Sequence, residues 1–209
     1  GNSFFRDSQR RYNWLKEKSI HFLDVGVSGG PEGARHGASL MIGGERGDFD
    51  TCEQLFKHLS VLDGYAYLGT AGAGHFAKMV HNGIEYGMMG SLAEGMQAME
   101  THGKQFGTDL KAVAKVYAHG TVIEGRLALL MEKGMRKPDF GSIEGVVPQG
   151  ETEDEMKELE QIADMNILHE ARMMRVQTRK KSSFAGKILA MLRNEFGGHP
   201  VVKKSRDST

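Results

Sequence analysis

The stretch that most restricts how this chain can fold runs from Gly72 to Tyr86. Read as a helix, it places polar side chains at i, i+3, i+4, i+7 and i+8, which is one face of a helix with about 3.6 residues per turn. These polar residues are Lys78, His81, Asn82, Glu85 and Tyr86. The apolar residues between them, such as Met79 and Val80, predict a second face that packs against a core.

A polar stripe on such a helix is either a solvated surface or a buried site. Gly83, Gly87 and Gly90 follow the same periodicity. A glycine in a helix interior costs about 1 kcal/mol relative to alanine, so three of them indicate close packing of a neighbouring element. We therefore interpret the stripe as a buried site.

Composition excludes several classes of protein. The 209 residues carry 27 basic and 27 acidic side chains, so charge gives no reason to expect a nucleic acid or a membrane surface as partner. No apolar run reaches the roughly 20 residues of a membrane span. Cys52 is the only cysteine, which excludes an internal disulfide framework and favours a reducing, cytoplasmic location.

Residues 1–69 alternate between strand and helix patterns, as in an α/β sheet. We predict strands at 20–25, 40–42 and 65–68, and expect the glycines from Gly26 onward to end the first one. A helix over 50–59 should turn Cys52, Leu55, Phe56 and Leu59 inward. The remaining chain reads as helical, with helices predicted at 74–101, 109–117, 122–132, 152–164, 167–178 and 183–196.

The turn Val27-Ser28-Gly29-Gly30 follows the first predicted strand. Paired glycines let backbone N–H groups approach an anion, and the Ser28 hydroxyl adds a donor. A plain turn explains the same residues, and short glycine motifs recur by chance.

Lys78 and Glu85 form the second candidate for chemistry. Lys78 could act as a general base and Glu85 as a general acid if burial disfavours their charged forms. A solvated ion pair is the alternative. His81 and Glu85 have the spacing of metal ligands, but no third ligand is apparent, and we predict no metal site.

Arg175, Arg193 and His199 are the third candidate. The fork of an arginine matches the oxygens of a phosphate or carboxylate, so these residues could bind an anion. Composition alone favours the simpler interpretation of solvated charges on helices.

Together these stretches resemble the 6-phosphogluconate dehydrogenases, the decarboxylating enzymes of the pentose phosphate pathway, in their short bacterial form. The resemblance covers nearly the whole chain. The matching segments are GNS at 1–3, GVSGGPEGAR at 26–35, GAGHFAKMVHNGIEYG at 72–87 and RNEFGGH at 193–199. It implies a partial Rossmann-like α/β domain over residues 1–70 and an all-α domain over residues 71–209.

The resemblance also implies the chemical roles of two residues. Lys78 would deprotonate the C3 hydroxyl of 6-phosphogluconate as a hydride leaves C3 for the nicotinamide of NADP or NAD. The same lysine would then assist the loss of CO2. Glu85 would protonate C1 of the enediol, which gives ribulose 5-phosphate.

The implied binding residues follow the length of the substrate. Ser28, Gly29 and Gly30 would hold the carboxylate end, and His81 and Asn82 the hydroxyls. Asn2 would lie beside both the substrate and the nicotinamide. The implied phosphate ligands are Tyr86, Thr152, Arg175, Arg193 and His199. The family supplies the last two from a neighbouring subunit, which implies a homodimer at least, and Gly150 stands where the family carries a basic residue.

The family's Gly-x-Gly-x-x-Gly turn, which binds the dinucleotide pyrophosphate, does not occur in this sequence. We therefore expect a fragment that keeps most of the substrate half of the site and is inactive alone, with the choice between NAD and NADP made elsewhere. Two alternatives remain: a β-hydroxyacid dehydrogenase for another substrate, and a non-enzymatic remnant that serves in oligomerisation or binding.

Overall fold

The computed structural model describes residues 1–150 and 152–204. Its contacts divide the chain into two compact units. Unit 1 comprises Gly1–Gly83 and Asp154–Leu159, and unit 2 comprises Ile84–Glu153 and Glu160–Thr209. The predicted domain boundary at residue 70 stays a prediction.

Unit 1 is built on a sheet of three strands in the order β1-β2-β3. Its elements are α1 (Phe5–Lys16), β1 (Leu23–Ser28), α2 (Gly30–His36), β2 (Ala38–Gly44), α3 (Arg46–Leu59) and β3 (Ser60–Gly69). β1 runs antiparallel to β2, whereas β2 and β3 are parallel and connected by α3. This architecture confirms the predicted α/β fold class.

The prediction that Gly26 ends the first strand was wrong. β1 continues to Ser28, with Val27 opposite Leu40 on β2. Gly26 lies inside the strand, and glycine is needed at this position because a Cβ there would stand 2.5 Å from the Cβ of Lys78. Helix α2 was also missed: Pro31 falls in its first turn, where proline is well tolerated.

The core of unit 1 lies between the sheet and α3, where Leu40, Ile42, Phe49 and Phe56 are buried. The Phe49 ring stacks on Phe56 and tilts against Tyr67. Two of the residues expected to face inward do not, since Leu55 is 56% and Leu59 53% exposed. α3 begins four residues before the predicted start, and Phe49, which that prediction omitted, fills the space against the sheet.

Helix α4 (Ala73–His102) contributes residues to both units. The other helices of unit 2 are α5 (Leu110–Tyr117), α6 (Arg126–Arg136), α8 (Asn166–Thr178) and α9 (Phe184–Gly197), with 3-10 turns at Gly103–Phe106 and Pro138–Ser142. Helix α7 (Glu153–Ile162) is shared, since its residues 154–159 belong to unit 1. The predicted all-α class is confirmed. α6 begins four residues later than predicted, because Gly125, at the N-cap, has a φ of 153° and interrupts the predicted helix there.

The core of unit 2 surrounds α9, whose Ile188, Leu189 and Leu192 are completely buried. Gly87 and Gly90 of α4 allow the close packing of a neighbouring helix that their spacing predicted. A Cβ at Gly87 would stand 3.0 Å from Ile167, and one at Gly90 would stand 3.3 Å from the Cβ of Ala171. The two glycines therefore let α8 pack directly on α4.

Candidate functional site

The first turns of α4 lie closer to the sheet of unit 1 than ordinary side chains permit. A Cβ at Gly74 would stand 2.3 Å from the carbonyl oxygen of Met41 and 2.6 Å from that of Asp24. Gly26 on β1 leaves the space that the Lys78 side chain occupies. This packing places Lys78 against β1 and leaves it only 7% exposed.

Five of the predicted site residues form one hydrogen-bond network in unit 1. The Lys78 Nζ donates to Asn82 Oδ1 at 2.8 Å and lies 3.3 Å from His81 Nδ1. His81 Nε2 lies 3.1 Å from the Ser28 hydroxyl, and Asn82 Nδ2 donates to Asn2 Oδ1 at 3.1 Å. We call this set, Asn2, Ser28, Lys78, His81 and Asn82, the lysine network.

The donors and acceptors of the lysine network constrain one another. His81 Nδ1 lies 3.3 Å from Lys78 Nζ, which as an ammonium can only donate, and 3.2 Å from Asn82 Oδ1, which can only accept, so it can accept from the lysine or donate to the amide. If Nδ1 accepts from Lys78, the proton of a neutral His81 sits on Nε2 and points to the Ser28 hydroxyl; if Nδ1 donates to Asn82, Nε2 accepts from that hydroxyl. In its neutral form, the Lys78 amine could take the proton of a substrate hydroxyl while the network holds it in place.

Gly1 precedes Asn2 of the lysine network and pairs with β1. Gly1 and Val27 exchange two backbone hydrogen bonds, which hold Asn2 beside β1 although Asn2 itself is exposed.

The turn after β1 requires glycine for reasons of backbone geometry. Gly29 and Gly30 have φ angles of 136° and 63°, which favour glycine. A Cβ at Gly29 would also stand 2.9 Å from the Cα of Gly33 in α2. Their predicted contact with a substrate carboxylate stays a prediction.

A second group of predicted residues meets in unit 2. The guanidinium carbon of Arg175 lies 3.3 Å from the centroid of the Tyr86 ring, and the Tyr86 hydroxyl lies 3.2 Å from that of Thr152. Arg193 donates to the carbonyl oxygen of Pro148 at 3.1 Å, beside Gly150. We call Tyr86, Thr152, Arg175 and Arg193 the arginine cluster.

The electrostatics of the arginine cluster favour an anion. Burial lowers the pKa of Arg175 to about 10, Tyr86 opposes this shift, and the charge of Arg193 adds to it. Burial likewise lowers the pKa of Arg193. Within residues 1–150 and 152–204, the buried Nε of Arg175 has no hydrogen-bond acceptor, while the rest of the guanidinium bonds the Tyr86 side chain and donates weakly to the Met89 sulfur at 3.5 Å. A buried guanidinium in this state lacks the compensation that an anion would supply.

Arg193 reaches the cluster from its own chain, whereas the resemblance implies that a neighbouring subunit supplies it. Helix α9 carries Arg193, and the packing of α9 in the core of unit 2 turns this residue toward Gly150. A Cβ at Gly150 would stand 2.8 Å from Arg193 Nη2. The guanidinium therefore fills the space that a side chain at position 150 would need.

The two remaining predicted residues also lie in unit 2. The half-buried Glu85 opposes the lowering of the pKa values of both Arg175 and Arg193, so its carboxylate is electrostatically coupled to them. His199 is exposed in the turn after α9, where its ring packs edge-on against Phe196 at 6.1 Å. The Asn194 side chain donates to its backbone oxygen at 2.9 Å.

Sequence reasoning missed several residues that hold these groups. Asp24 on β1 is buried and accepts hydrogen bonds from the backbone N–H groups of Gly72 and His75. Thr178 and Arg179 bond both backbone polar groups of Val147 in the loop before Gly150. A single acidic residue inside an apolar strand was the available signal for Asp24, and no local pattern marks the other two.

No three His, Cys, Asp or Glu side chains gather into a metal site among the residues that the structure describes. In the same part of the chain, none of the helices has the length and apolar character to cross a membrane.

Comparison with known proteins decides the family. Residues 1–69 match the family model of the NAD binding domain of 6-phosphogluconate dehydrogenase, and residues 74–119 match that of the enzyme's C-terminal domain. YqeC of Bacillus subtilis, whose name describes it as a 6-phosphogluconate dehydrogenase, is 43% identical to this chain. The match covers 98% of this chain and 69% of the YqeC chain. The chain belongs to the 6-phosphogluconate dehydrogenase family.

Other members of the family agree. An NAD(+)-dependent, decarboxylating 6-phosphogluconate dehydrogenase of Haloferax volcanii is 35% identical over 98% of this chain and 68% of its own. The Plasmodium falciparum 6-phosphogluconate dehydrogenase superposes with a TM-score of 0.78 at 28% identity, over 87% of this chain and 41% of that one. The chain thus spans about two thirds of YqeC and of the Haloferax enzyme, and about two fifths of the Plasmodium enzyme. A 3-hydroxyisobutyrate dehydrogenase from Salmonella typhimurium, at 19% identity and a TM-score of 0.64, shares the fold.

Proposed function

We propose that this protein takes part in the oxidative decarboxylation of 6-phosphogluconate to ribulose 5-phosphate and CO2, with NADP or NAD as hydride acceptor. The observation that carries the proposal is the buried Arg175 beside Tyr86, whose Nε has no acceptor among the described residues. Such a group calls for an anionic ligand, and among hydroxyacid dehydrogenases a phosphorylated substrate supplies one.

Lys78 takes the proton of the C3 hydroxyl in this proposal. Ser28 and the backbone of Gly29 and Gly30 bind the carboxylate end, while His81 and Asn82 bind hydroxyls. The lysine network supports these roles because it holds the Lys78 amine between two of these side chains.

The subsequent steps return protons to the substrate. Once C1 of the 3-keto acid has left C2 as CO2, protonated Lys78 donates a proton to the C3 oxygen, and the enediol forms. Glu85 then protonates the former C2, which becomes C1 of ribulose 5-phosphate. The dinucleotide, when bound, accepts the hydride from C3, and Asn2 would contact its nicotinamide. The chain has no Gly-x-Gly-x-x-Gly turn for the pyrophosphate.

The phosphate is bound by Arg175 and Arg193 in this proposal, with hydroxyl groups from Tyr86 and Thr152 and a further contact from His199. Two guanidinium groups match the charge of a phosphate dianion, and their donors fit its oxygens in pairs. The lowered pKa values of both arginines support this role, because an anion would offset the burial of their charges.

Calorimetry with the 209-residue chain tests the phosphate assignment directly. We expect 6-phosphogluconate to bind about a hundredfold more tightly than gluconate, since charged hydrogen bonds to a buried arginine contribute about 1.5–3 kcal/mol. Equal affinities would contradict the proposal and favour a β-hydroxyacid dehydrogenase for another substrate.

The catalytic assignment is tested in a form of the protein that turns over 6-phosphogluconate. Replacing Lys78 with Met should lower kcat by about 10²–10⁴ with a small change in KM. An unchanged kcat in Lys78→Met would contradict the assignment. If no form of the protein turns over 6-phosphogluconate, and Lys78→Met and Glu85→Gln leave the cell's use of gluconate unchanged, the protein is instead a non-enzymatic remnant.

We also propose that the protein is cytoplasmic and forms at least a homodimer through unit 2. Phe106, Val116 and Val122 of this unit are 79%, 60% and 102% exposed. A second copy would cover apolar side chains of this kind. Light scattering after gel filtration should therefore give at least twice the 23.0 kDa mass of one chain, and a monomer would contradict this part of the proposal.

A further inference from the structure

The carboxylate of Asp24 lies at the N-terminal end of α4, although Asp24 belongs to β1. Its two oxygens accept from the backbone N–H of Gly72 at 2.6 Å and from that of His75 at 2.8 Å. The first N–H groups of a helix have no partner within the helix, so Asp24 caps α4 from outside it. Its negative charge also faces the positive end of the helix dipole.

Unit 1 is shaped to hold this carboxylate. A Cβ at Gly43 on β2 would stand only 2.6 Å from Asp24 Oδ1 and 2.8 Å from the backbone nitrogen of Gly74. The Asp24 side chain is completely buried. The carboxylate and the start of α4 therefore share a space that only glycine at position 43 leaves open.

The imidazole of His75 ties the same turn to two further elements. Its Nδ1 lies 2.7 Å from the buried Ser8 hydroxyl of α1, and its ring also bonds the backbone of Val25 on β1. Burial lowers the pKa of His75, which favours the neutral ring. Asp24 Oδ2 lies 3.8 Å from the same Nδ1 that faces Ser8. Ser8 and Asp24 face the same nitrogen of His75, so the three residues do not form a proton relay. They instead attach the first turn of α4 to α1 and β1.

Lys78 follows His75 by one helical turn and is held against Gly26, which is two residues after Asp24 on β1. We propose that Asp24 is a positioning residue for Lys78: by capping α4 from β1, it fixes where the Lys78 amine stands relative to Ser28. This inference rests on the catalytic role proposed for Lys78. The geometric part, that the carboxylate holds the amine in place, can be tested without any activity.

The first test measures Lys78 itself. Lysines of the folded protein are reductively methylated with formaldehyde and cyanoborohydride, and Lys78 is compared by mass spectrometry with the exposed Lys57 in the same sample. In Asp24→Asn, an amide replaces one of the two accepting oxygens, and we expect Lys78 to react at least about threefold faster relative to Lys57. Hydrogen exchange of the Gly72 and His75 amides should rise as well.

The control is Asp109→Ala. Asp109 caps α5 through a 2.9 Å bond to the Lys111 N–H, so this variant also loses a helix cap, in unit 2. We expect it to leave the Lys78 labelling ratio unchanged. Asp24→Ser, whose single, shorter hydroxyl cannot accept from both N–H groups, is the second variant if Asp24→Asn folds poorly, and it too should raise the Lys78 labelling ratio above that of wild type.

The outcomes separate positioning from general stability. An unchanged labelling ratio in a folded Asp24 variant would overturn the inference, as would global unfolding of both variants. In an active form of the protein, kcat should fall about tenfold or more while KM for 6-phosphogluconate changes less than about threefold, since misplacement of a catalytic group acts on the chemical step. If Lys78 labelling rises in the Asp24 variants but Lys78→Met, in an otherwise unchanged protein, has normal kcat, then Asp24 does position Lys78. In that case only the catalytic function proposed for Lys78 is contradicted.

Discussion

The guanidinium of Arg175 on α8 stacks on the ring of Tyr86 on α4, with 3.3 Å between its central carbon and the ring centroid. Stacking of this kind fixes the plane of the guanidinium and leaves its edge to bind oxygen atoms. Both residues are less than 10% exposed. The pair is thus a rigid, desolvated donor that an anion can complete.

Replacing Arg175 with Met should weaken binding of 6-phosphogluconate by about 10- to 100-fold, because the charged hydrogen bonds to phosphate are lost. Thermal stability should stay the same or rise, since a buried charge is replaced by an apolar side chain. Calorimetry and a melting curve measure the two effects. Arg136→Met is the control: Arg136 is about half exposed and paired with Glu132, so affinity should not change. A large stability loss in Arg175→Met with unchanged affinity would show that Arg175 is structural.

Replacing Gly150 with Ala should displace Arg193 without unfolding the protein. The added Cβ would stand 2.8 Å from Arg193 Nη2, which is the mobile end of a long side chain. We expect roughly tenfold weaker binding of 6-phosphogluconate and little change in melting temperature. Gly141→Ala adds a methyl group with nothing within 4 Å and should bind normally. Equal affinities of the two variants would show that Arg193 does not bind phosphate.

Replacing Gly74 with Ala should separate α4 from the sheet of unit 1. The new Cβ would meet backbone atoms of Met41, Asp24 and Gly43 at 2.3–2.9 Å, and backbone cannot move aside as a side chain can. Overpacking of this kind costs about 1–3 kcal/mol or more. Denaturant unfolding measures the loss, and Gly47→Ala, which meets nothing within 4 Å, is the matched control. Similar stabilities for both variants would contradict the close approach.

His75 should make stability depend on pH. Burial lowers its pKa below the ordinary value of 6.5, so in mildly acidic solution the unfolded chain binds more protons than the folded one. The free energy of unfolding should therefore fall as the pH drops below about 6.5, and level off below the pKa of the folded state. His75→Asn should show a shallower decline between pH 7 and pH 5 in urea titrations. Parallel curves would indicate that other groups cause the effect.

Local periodicity predicted the bounds of α4 and α9 to within one residue, although it missed α2 and misplaced the starts of α3 and α6 by four residues. The helix predicted at 74–101 is observed at Ala73–His102, and that at 183–196 at Phe184–Gly197. Helical hydrogen bonds join residues four apart, so the pattern that specifies them lies within a short window. The strands were placed less well, because a glycine inside β1 serves a contact with α4 that no strand pattern records.

The sequence by itself determined the fold class, the family and which residue types could carry the chemistry. Motifs such as GAGHFAKMVHNGIEYG are local, and their polar stripe can be read from spacing alone. Only the tertiary structure decided which of these residues meet and in what state. The burial of Arg175 against Tyr86, the space that Gly150 leaves for Arg193, and the capping of α4 by Asp24 all join elements distant in sequence. Desolvation and hydrogen-bond satisfaction depend on everything packed around a group, and no window of sequence contains that information.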